Sequence, residues 1–461
     1  MNQRFLRNLA GYNKPRRTQR THSLTLRRAI TLSPRQKEIL SSPRTIFFTG
    51  LILRVLYITI AHTYRFRPFE DHFTFGYEMG RIARALATGY GYADPFNGHT
   101  GPTAWEPPLY PLLLAGVFKL CGVYSALSGW LILALNSVFS AATAVFLYFI
   151  ADRCYNRRIA LWSAWIWALY PAAIQYAVRW VWEISLTCML FTAVLALAVK
   201  MRNIGDQPNA PSRQTTRDWL LFGFLWGLIG LCDSSLLLFL PACGLWILAQ
   251  KSEVASHTRA VFLRAVASAV VFIAVVSPWM VRNYLVFHTF VPFRSNLGAE
   301  LYVGDGPGTL GFRYGVLIGP AKDAQYQLYT RMGEIAYCRY RGDLAKAWIR
   351  KHPDHFIAIS LKRFYFFWSS VPHPSMRHPS RDYVRQGTFC FASITGLLGL
   401  LLALRRRIPA AGLFAWAFAL LPLTYYFVTV EARFRHPLEP LIVILSIYLF
   451  QSAEPRHKPA L

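Results

Sequence analysis

Long apolar runs with few charges set the strongest constraint on how this chain can fold. A helix needs about 20 apolar residues to cross the roughly 30 Å hydrocarbon core of a bilayer, because each residue rises 1.5 Å. The runs read as spans are residues 46–64, 127–151, 159–177, 180–199, 218–232, 235–249, 261–281, 388–404, 409–429 and 437–450. A shorter run at 109–121 fits an interfacial or re-entrant helix. The sequence therefore predicts an all-α polytopic membrane protein of about ten transmembrane helices.

Composition agrees with this prediction. The 461 residues are 54% hydrophobic, 15% aromatic and only 16% charged, which excludes an ordinary soluble globule. The net charge of +28 comes mainly from the N-terminal arm and from short connections between apolar runs, so it indicates topology and not nucleic-acid binding. The seven cysteines form no CxxC pair and are typical of small core residues.

The positive charges also orient the chain in the membrane. Residues 1–44 form a basic arm that we expect to be cytoplasmic, as is the tail 453–461. Two long segments then lie outside, a first outer loop at 65–108 and a helical outer domain at 283–386. The first lies inside an N-terminal transmembrane module, 45–282, and the second separates this module from the C-terminal transmembrane helices at 387–452.

The first outer loop offers two carboxylates for chemistry. If the chain after Asp71 is helical, Asp71 and Glu78 are seven residues apart and share one helix face above the membrane. Either could be the general base for an acceptor hydroxyl, or could hold a divalent metal. The alternative is an amphipathic surface helix with ordinary solvated acids.

A second acidic position lies where the third and fourth apolar runs meet at their outer ends. In RWVWE, Arg179 and Glu183 are four residues apart, the spacing of a plain ion pair on a helix. The alternative is that Glu183 faces the same cavity as Asp71. Arg54, inside the first span, raises a similar question: it either snorkels to the surface or faces an anionic headgroup.

Arginines at the outer ends of two spans suit a phosphate ligand. Arg282 lies in SPWMVRNY, and Arg433 and Arg435 lie in EARFRHPLEP. Guanidinium groups bind phosphate oxygens bidentately and could stabilise a departing phosphate. The alternative is that they anchor helix ends at the interface.

Two other patterns indicate no site. Histidines in the loops lack metal-ligand spacing, which argues against a zinc site; they are His352, His355, His373, His378 and His436. The stretch GDGPGTLG at 304–311 lacks a following Lys-Ser/Thr and is expected to be a flexible loop, not a nucleotide cradle.

The order of these features resembles a family. An acidic loop after the first span, GPTAWEPPLYP, PWMVRN and a terminal RFRHPLEP are similar to the GT-C membrane glycosyltransferases, within the bacterial relatives of protein O-mannosyltransferases and lipid A aminoarabinose transferases. The resemblance implies that Asp71 is the first choice of base, with Glu183 as second acid. It also implies that Arg433, followed by Pro437 and Pro440, is near the donor phosphate.

The chain departs from the family pattern at two points. The acidic doublet is reversed, as Glu70-Asp71, and Glu106 stands where relatives carry a lysine before the Pro-Pro pair. Positive charge for a phosphate is then expected from Arg179, Arg282 and Arg433.

The resemblance implies an activity. We expect inverting transfer of a monosaccharide from a polyprenyl-phosphate donor to a hydroxyl of a lipid, glycan or protein, at the outer face of a bacterial inner membrane. The expected partners are this donor, membrane lipids and the acceptor, with no nucleic acid; a divalent metal cofactor is left open. A transporter or flippase of lipid-linked glycan is the main alternative, and a non-catalytic envelope scaffold is another. The sequence identifies neither sugar nor acceptor.

Overall fold

Helices dominate the computed structural model of the chain, which describes residues 39–205, 214–249, 255–312, 323–372 and 379–452. Within these ranges the extended pairing is limited to one isolated antiparallel bridge between Ala93 and Pro102, so the all-α prediction is confirmed there. The predicted basic arm up to residue 38, the tail, the loop 206–213, His373 and His378 lie outside the described residues. Residues 41–461 form one unit that contains every helix named below.

The helices follow one another in a simple order. They are α1 Pro43–Ile60, α2 Tyr77–Ala87, α3 Leu109–Cys121, α4 Ala126–Cys154, α5 Arg157–Leu169, α6 Pro171–Arg179, α7 Ile184–Met201, α8 Thr216–Gly230, α9 Leu240–Leu248, α10 Ala255–Phe287, α11 Leu297–Asp305, α12 Ala324–Met332, α13 Glu334–Lys351, α14 Pro353–Ser369, α15 Pro379–Arg405, α16 Ala411–Leu420, α17 Leu423–Phe427 and α18 Glu439–Ser452. Two 3-10 helices occur, at Ser234–Phe239 before α9 and at Ala432–Leu438 before α18.

Five helices among the described residues are long and apolar enough to cross a membrane. They comprise α1, α4, α7, Arg259–Phe287 of α10 and Asp382–Arg405 of α15. The predicted count of about ten spans is therefore not confirmed. Prolines and 3-10 turns account for part of the difference. Pro171, for example, divides the predicted span 159–177 into α5 and α6. The predicted span at 235–249 likewise begins as a 3-10 turn.

Helix α7 lies at the centre of the bundle. Its 18-residue apolar window is 83% buried, against 22% for α1 and 11% for α10, because α7 is apolar on all sides and meets protein on all sides. Helix α4 packs against α1, α5 and α7. The α7 N-terminus, which Glu183 directly precedes, is thereby surrounded by other helices.

The segment predicted as the outer domain is helical, as expected. It contains α11 to α14, and both of its predicted boundaries fall inside continuous helices, α10 and α15. Helices α11 and α13 pack closely at Gly298, where a Cβ atom would meet the Cys338 carbonyl oxygen at 2.1 Å. Glycine is required there by this close approach.

Candidate functional site

A large cavity with mainly apolar walls opens beside the C-terminal helices; we term it the apolar cavity. Its volume is about 1530 Å³. Its lining includes Phe73, Tyr77, Glu78, Ile166, Tyr176, Trp180, Trp182, Val384, Arg385, Phe389, Phe391, Ala392, Thr395, Glu431, Arg433, Ile442, Val443, Ile447 and Phe450. Apolar walls with a few charged groups suit a ligand that has a long hydrocarbon part and a polar head.

A smaller cavity of about 330 Å³ has a different character; we term it the polar cavity. Its lining includes Glu106, Trp182, Glu183, Thr187, Asp233, Ser235, Arg294, Asn296, Glu300, Tyr425 and Arg433. Four carboxylic side chains and two arginines therefore face one small space. Such a concentration of ionisable groups beside apolar helices favours a functional site over a purely structural one.

Two residues, Trp182 and Arg433, line both cavities. The Arg433 guanidinium carbon lies 3.5 Å from the centre of the Trp182 ring, and its Nη1 is 3.0 Å from Glu431 Oε2. Stacking and ion pairing together fix the orientation of the guanidinium group. The apolar and polar cavities therefore adjoin at a fixed positive charge.

Glu183 is the acid best placed in the polar cavity to exchange a proton. It precedes α7, and its Oε2 is buried without a hydrogen-bond partner. Burial and then the neighbouring Glu106 carboxylate raise the pKa of the Glu183 carboxyl to about 8, whereas Arg433 acts to lower it. A carboxyl group with a pKa near neutrality is suited to general acid–base chemistry.

Two further contacts organise the walls of the polar cavity. Arg294 Nη2 lies 2.8 Å from Glu106 Oε2. On another wall, Asp233 Oδ1 accepts from the Ser235 hydroxyl at 2.6 Å, and the Ser235 and Tyr425 hydroxyls are 2.6 Å apart. These contacts join the first outer loop, the turn before α9 and α17 around one space.

The structure separates the two acids of the first outer loop. The premise of a helix directly after Asp71 is wrong: turns with positive φ at Glu70, Asp71 and His72 lead to Gly76, and α2 starts at Tyr77. Asp71 therefore does not share a helix face with Glu78. Its Oδ1 and Oδ2 accept from Arg84 Nη1 at 2.7 and 2.8 Å, and it lines neither cavity. Glu78 is buried and lines the apolar cavity.

The predicted phosphate-binding arginines also separate. Arg433 lies at the two cavities, but Arg179, Arg282 and Arg435 line neither one. Arg179 donates to the Tyr57 hydroxyl at 2.8 Å, and is not paired with Glu183 in any contact that the structure shows.

The other two arginines, and Arg54, are engaged in structural contacts. Arg282 donates to the carbonyl oxygens of Tyr92 and Thr103 at 2.7 and 2.6 Å. Arg435 is fully buried and donates to Glu439 at 3.2 Å. Arg54 is also fully buried and donates to the Ala168 carbonyl oxygen at 2.8 Å, so it is placed neither to snorkel to the surface nor to face an anionic headgroup.

Three cavity residues had no role in the sequence prediction. Glu106 was noted only as a departure from the family pattern, and Arg294 and Glu300 belong to no motif. One signal could have found Glu106, namely an acid placed directly before Pro-Pro at the start of an apolar run. In the part of the chain that the structure describes, no three His, Cys, Asp or Glu side chains are grouped to hold a metal ion.

Several solved structures resemble this fold. The oligosaccharyltransferase AglB of Archaeoglobus fulgidus, in complex with an inhibitory peptide and a dolichol-phosphate, is 12% identical over 88% of this chain and 50% of its own, with a TM-score of 0.47. ArnT of Cupriavidus metallidurans bound to undecaprenyl phosphate is 14% identical over 86% and 77%, with a TM-score of 0.35. This chain spans about half the length of the archaeal protein. No curated protein matches the sequence.

A protein-family match covers the part of the chain that contains Glu106, Glu183 and Asp233. Residues 105–280 match the family described as dolichyl-phosphate-mannose-protein mannosyltransferase. This match confirms the resemblance predicted from the sequence for this part of the chain: residues 105–280 are similar to the protein mannosyltransferase family.

Proposed function

We propose that the protein is a glycosyltransferase that moves a monosaccharide from a polyprenyl-phosphate donor to a hydroxyl acceptor, with inversion, at the outer face of a bacterial inner membrane. One observation carries the proposal, the junction of an apolar and a polar cavity at Arg433 and Trp182. The family description, which names a dolichyl-phosphate sugar as donor, supports this donor class. Lipid, glycan and protein acceptors all remain candidates.

The apolar cavity would hold the first isoprene units of the donor. Its walls include residues of α15, a helix long and apolar enough to cross a membrane, so a polyprenyl chain could pass from the cavity to the bilayer in an apolar environment. Arg433, at the end of this cavity, would bind the phosphate, because a guanidinium group stays charged and offers two parallel N–H donors. The same contact would stabilise the negative charge that develops on the departing phosphate.

The polar cavity would hold the sugar and the acceptor hydroxyl. The acceptor oxygen forms a bond to the anomeric carbon on the face opposite the phosphate, as the anomeric carbon–oxygen bond to the phosphate breaks and its electron pair leaves with the polyprenyl phosphate. The hydroxyl proton goes to a carboxylate. Carboxylates of the polar cavity would stabilise the positive charge that develops on the sugar, since its carboxylic side chains outnumber its arginines.

We infer that Glu183 is the base, with Glu106 and Asp233 orienting the reacting groups. Glu183 lines the polar cavity, has a buried oxygen without a partner, and has a pKa raised to about 8. Asp71, the first choice from sequence, would have to leave Arg84 to reach an acceptor there. Glu78 remains a candidate for orienting the donor from the apolar cavity.

Direct transfer tests this function. Purified protein in nanodiscs is given radiolabelled polyprenyl-phosphate sugars extracted from membranes, and the consumption of donor and the configuration of the product are measured. The proposal expects donor consumption that Glu183→Gln abolishes. If no donor is consumed while lipid-linked glycan crosses vesicle membranes, the protein is a transporter and the proposal is wrong.

A further inference from the structure

One buried carboxylate outside the two cavities has four hydrogen-bond donors. Glu334, the first residue of α13, accepts from the Ala104 backbone N–H at 2.6 Å, the Ser295 hydroxyl at 2.7 Å and the Tyr329 hydroxyl at 2.9 Å, and from the Thr103 hydroxyl. Its side chain is 5% exposed. A buried acceptor of this kind stabilises a structure only while its partners stay in place. Two of the four donors belong to the first outer loop.

The same two loop residues are held from other directions as well. Arg282 donates to the carbonyl oxygen of Thr103 at 2.6 Å, and Ser295 donates its backbone N–H to the carbonyl oxygen of Ala104 at 3.0 Å. Thr103 and Ala104 are therefore held, through side-chain and backbone atoms, by residues that come much later in the sequence. An ordinary surface loop does not need such bonding.

The fixed segment leads directly into the polar cavity. Trp105 is fully buried, with its ring 5.0 Å from that of Phe96, and its carbonyl oxygen accepts from Arg294 Nε at 3.3 Å. Glu106 follows, and its carboxylate pairs with Arg294 at 2.8 Å inside the cavity. Glu106 follows Thr103 and Ala104, the two loop residues that contact Glu334, by only two or three residues. Those contacts therefore restrict where Glu106 can lie.

We propose that Glu334 is a positioning residue that locks Thr103 and Ala104 and thereby holds the Glu106–Arg294 pair in the polar cavity. Glu334 lines neither cavity, so it acts through the loop and not on a substrate. Its effect on catalysis rests on the proposed function, whereas its effect on the loop does not. Rigid support of this kind matters because a displacement of about 1 Å at a reacting group can lower a rate about 100-fold.

Hydrogen–deuterium exchange on the full-length protein in nanodiscs tests the lock directly. Glu334→Leu keeps a similar side-chain size but removes both acceptor oxygens. The Ala104 amide donates to Glu334, and the Trp105 amide donates to the Thr103 hydroxyl that Glu334 holds. We expect exchange at both amides to accelerate about 10-fold or more, because the first bond is lost and the acceptor of the second is released. The matched control is Asp343→Asn, an exposed acid of the same helix that pairs with Lys346, which should leave exchange in this loop unchanged.

A second variant covers the case in which Glu334→Leu does not fold. Thr103→Val breaks the same contact from the other side, since its hydroxyl donates to Glu334 and accepts from the Trp105 N–H at 2.9 Å. Unchanged exchange at Ala104 and Trp105 in whichever variant folds would overturn the proposal. This readout needs no turnover, so failure of the glycosyltransferase assignment would be seen separately, as absence of transfer by the wild type.

Kinetics then separates positioning from general loss of structure. Below the unfolding temperature of the variant, we expect kcat to fall about 10- to 100-fold while the KM for the donor stays within about twofold, because the polyprenyl tail and the phosphate of the donor are assigned to the apolar cavity and to Arg433. An equal loss in both parameters, or no change in kcat, would overturn the catalytic part of the proposal.

Discussion

The Arg433 guanidinium lies flat against the indole ring of Trp182, with 3.5 Å between the guanidinium carbon and the ring centre. Both residues line the apolar and the polar cavity, and Glu431 binds Arg433 from the same turn at 3.0 Å. The side chain is thus held before any ligand arrives. Preorganised charge of this kind is effective in binding an anion and in stabilising a leaving group.

The first prediction concerns this arginine. Arg433→Lys retains the charge but loses the bidentate fork and the stacking on Trp182. We expect the donor KM to rise about 10- to 100-fold, because a hydrogen bond to a charged group contributes about 1.5–3 kcal/mol. The control is Arg406→Lys, an exposed arginine 5.9 Å from the Tyr448 ring and outside both cavities. A similar KM for both variants would show that Arg433 does not bind the phosphate.

The second prediction concerns pH. Because the pKa of Glu183 is raised to about 8, the carboxyl is mainly protonated at pH 7 and becomes an effective base only as the pH rises through 8. We expect kcat/KM to increase between pH 7 and 9, and Glu183→Gln to lower the rate about 100- to 10,000-fold and to remove this increase. If kcat/KM of Glu183→Gln rises by the same factor between pH 7 and 9, the increase comes from another titrating group.

The third prediction compares the two candidate bases. Asp71 is bound by Arg84 at 2.7 Å outside the cavities, so Asp71→Asn should affect stability more than chemistry. We expect it to retain more than about a tenth of the wild-type kcat, since losses beyond this are typical of a missing general base. Single-turnover measurements with pre-bound donor check this. If Asp71→Asn binds donor normally without turnover while Glu183→Gln is active, then Asp71 is the base, as the sequence predicts.

The fold was largely predictable from local pattern, whereas the site was not. Each apolar run contains one or two helices, although α10 and α15 extend well beyond the runs that predicted them. The short run at 109–121 is the helix Leu109–Cys121. Such helices follow from the hydrophobicity of a continuous stretch of residues, and this can be read from one sequence alone. Pro171 was visible in the sequence, yet the span was predicted to pass through it.

The roles of the charged residues depended on tertiary contacts. Arg433 and Arg435 stand two residues apart in one turn, but one lines the cavities and the other is buried against Glu439. Arg294 pairs with Glu106 although the two residues are far apart in the sequence. Sequence spacing can predict that neighbours on one helix share a face, but it does not predict pairs of this kind.

The fourth prediction concerns Arg435, for which the sequence predicted phosphate binding. Its Nη1 donates to Ser393 at 2.7 Å and its Nη2 to Glu439 at 3.2 Å, and both members of the ion pair are fully buried. Arg435→Leu leaves a buried carboxylate without this partner, a change that costs about 3–5 kcal/mol in comparable cases. We expect a clear fall in the unfolding temperature in detergent, at least twice that of the exposed Arg406→Leu. Unchanged stability with a raised donor KM would instead support direct phosphate binding.

The fifth prediction concerns the occupant of the apolar cavity. Ala392 of α15 lines the cavity among Phe389, Phe391 and Thr395, so Ala392→Phe fills space that the proposal assigns to isoprene units. We expect KM to rise about tenfold or more for a long-chain polyprenyl donor, and to change little for a donor analogue whose shorter tail does not reach this wall, because the added ring obstructs only the tail. Leu398→Phe, on the same helix but exposed and outside the cavity lining, is the control. Equal losses with both donors would mean that the substitution disturbs the phosphate end, and unchanged use of the long donor would mean that the lipid binds elsewhere.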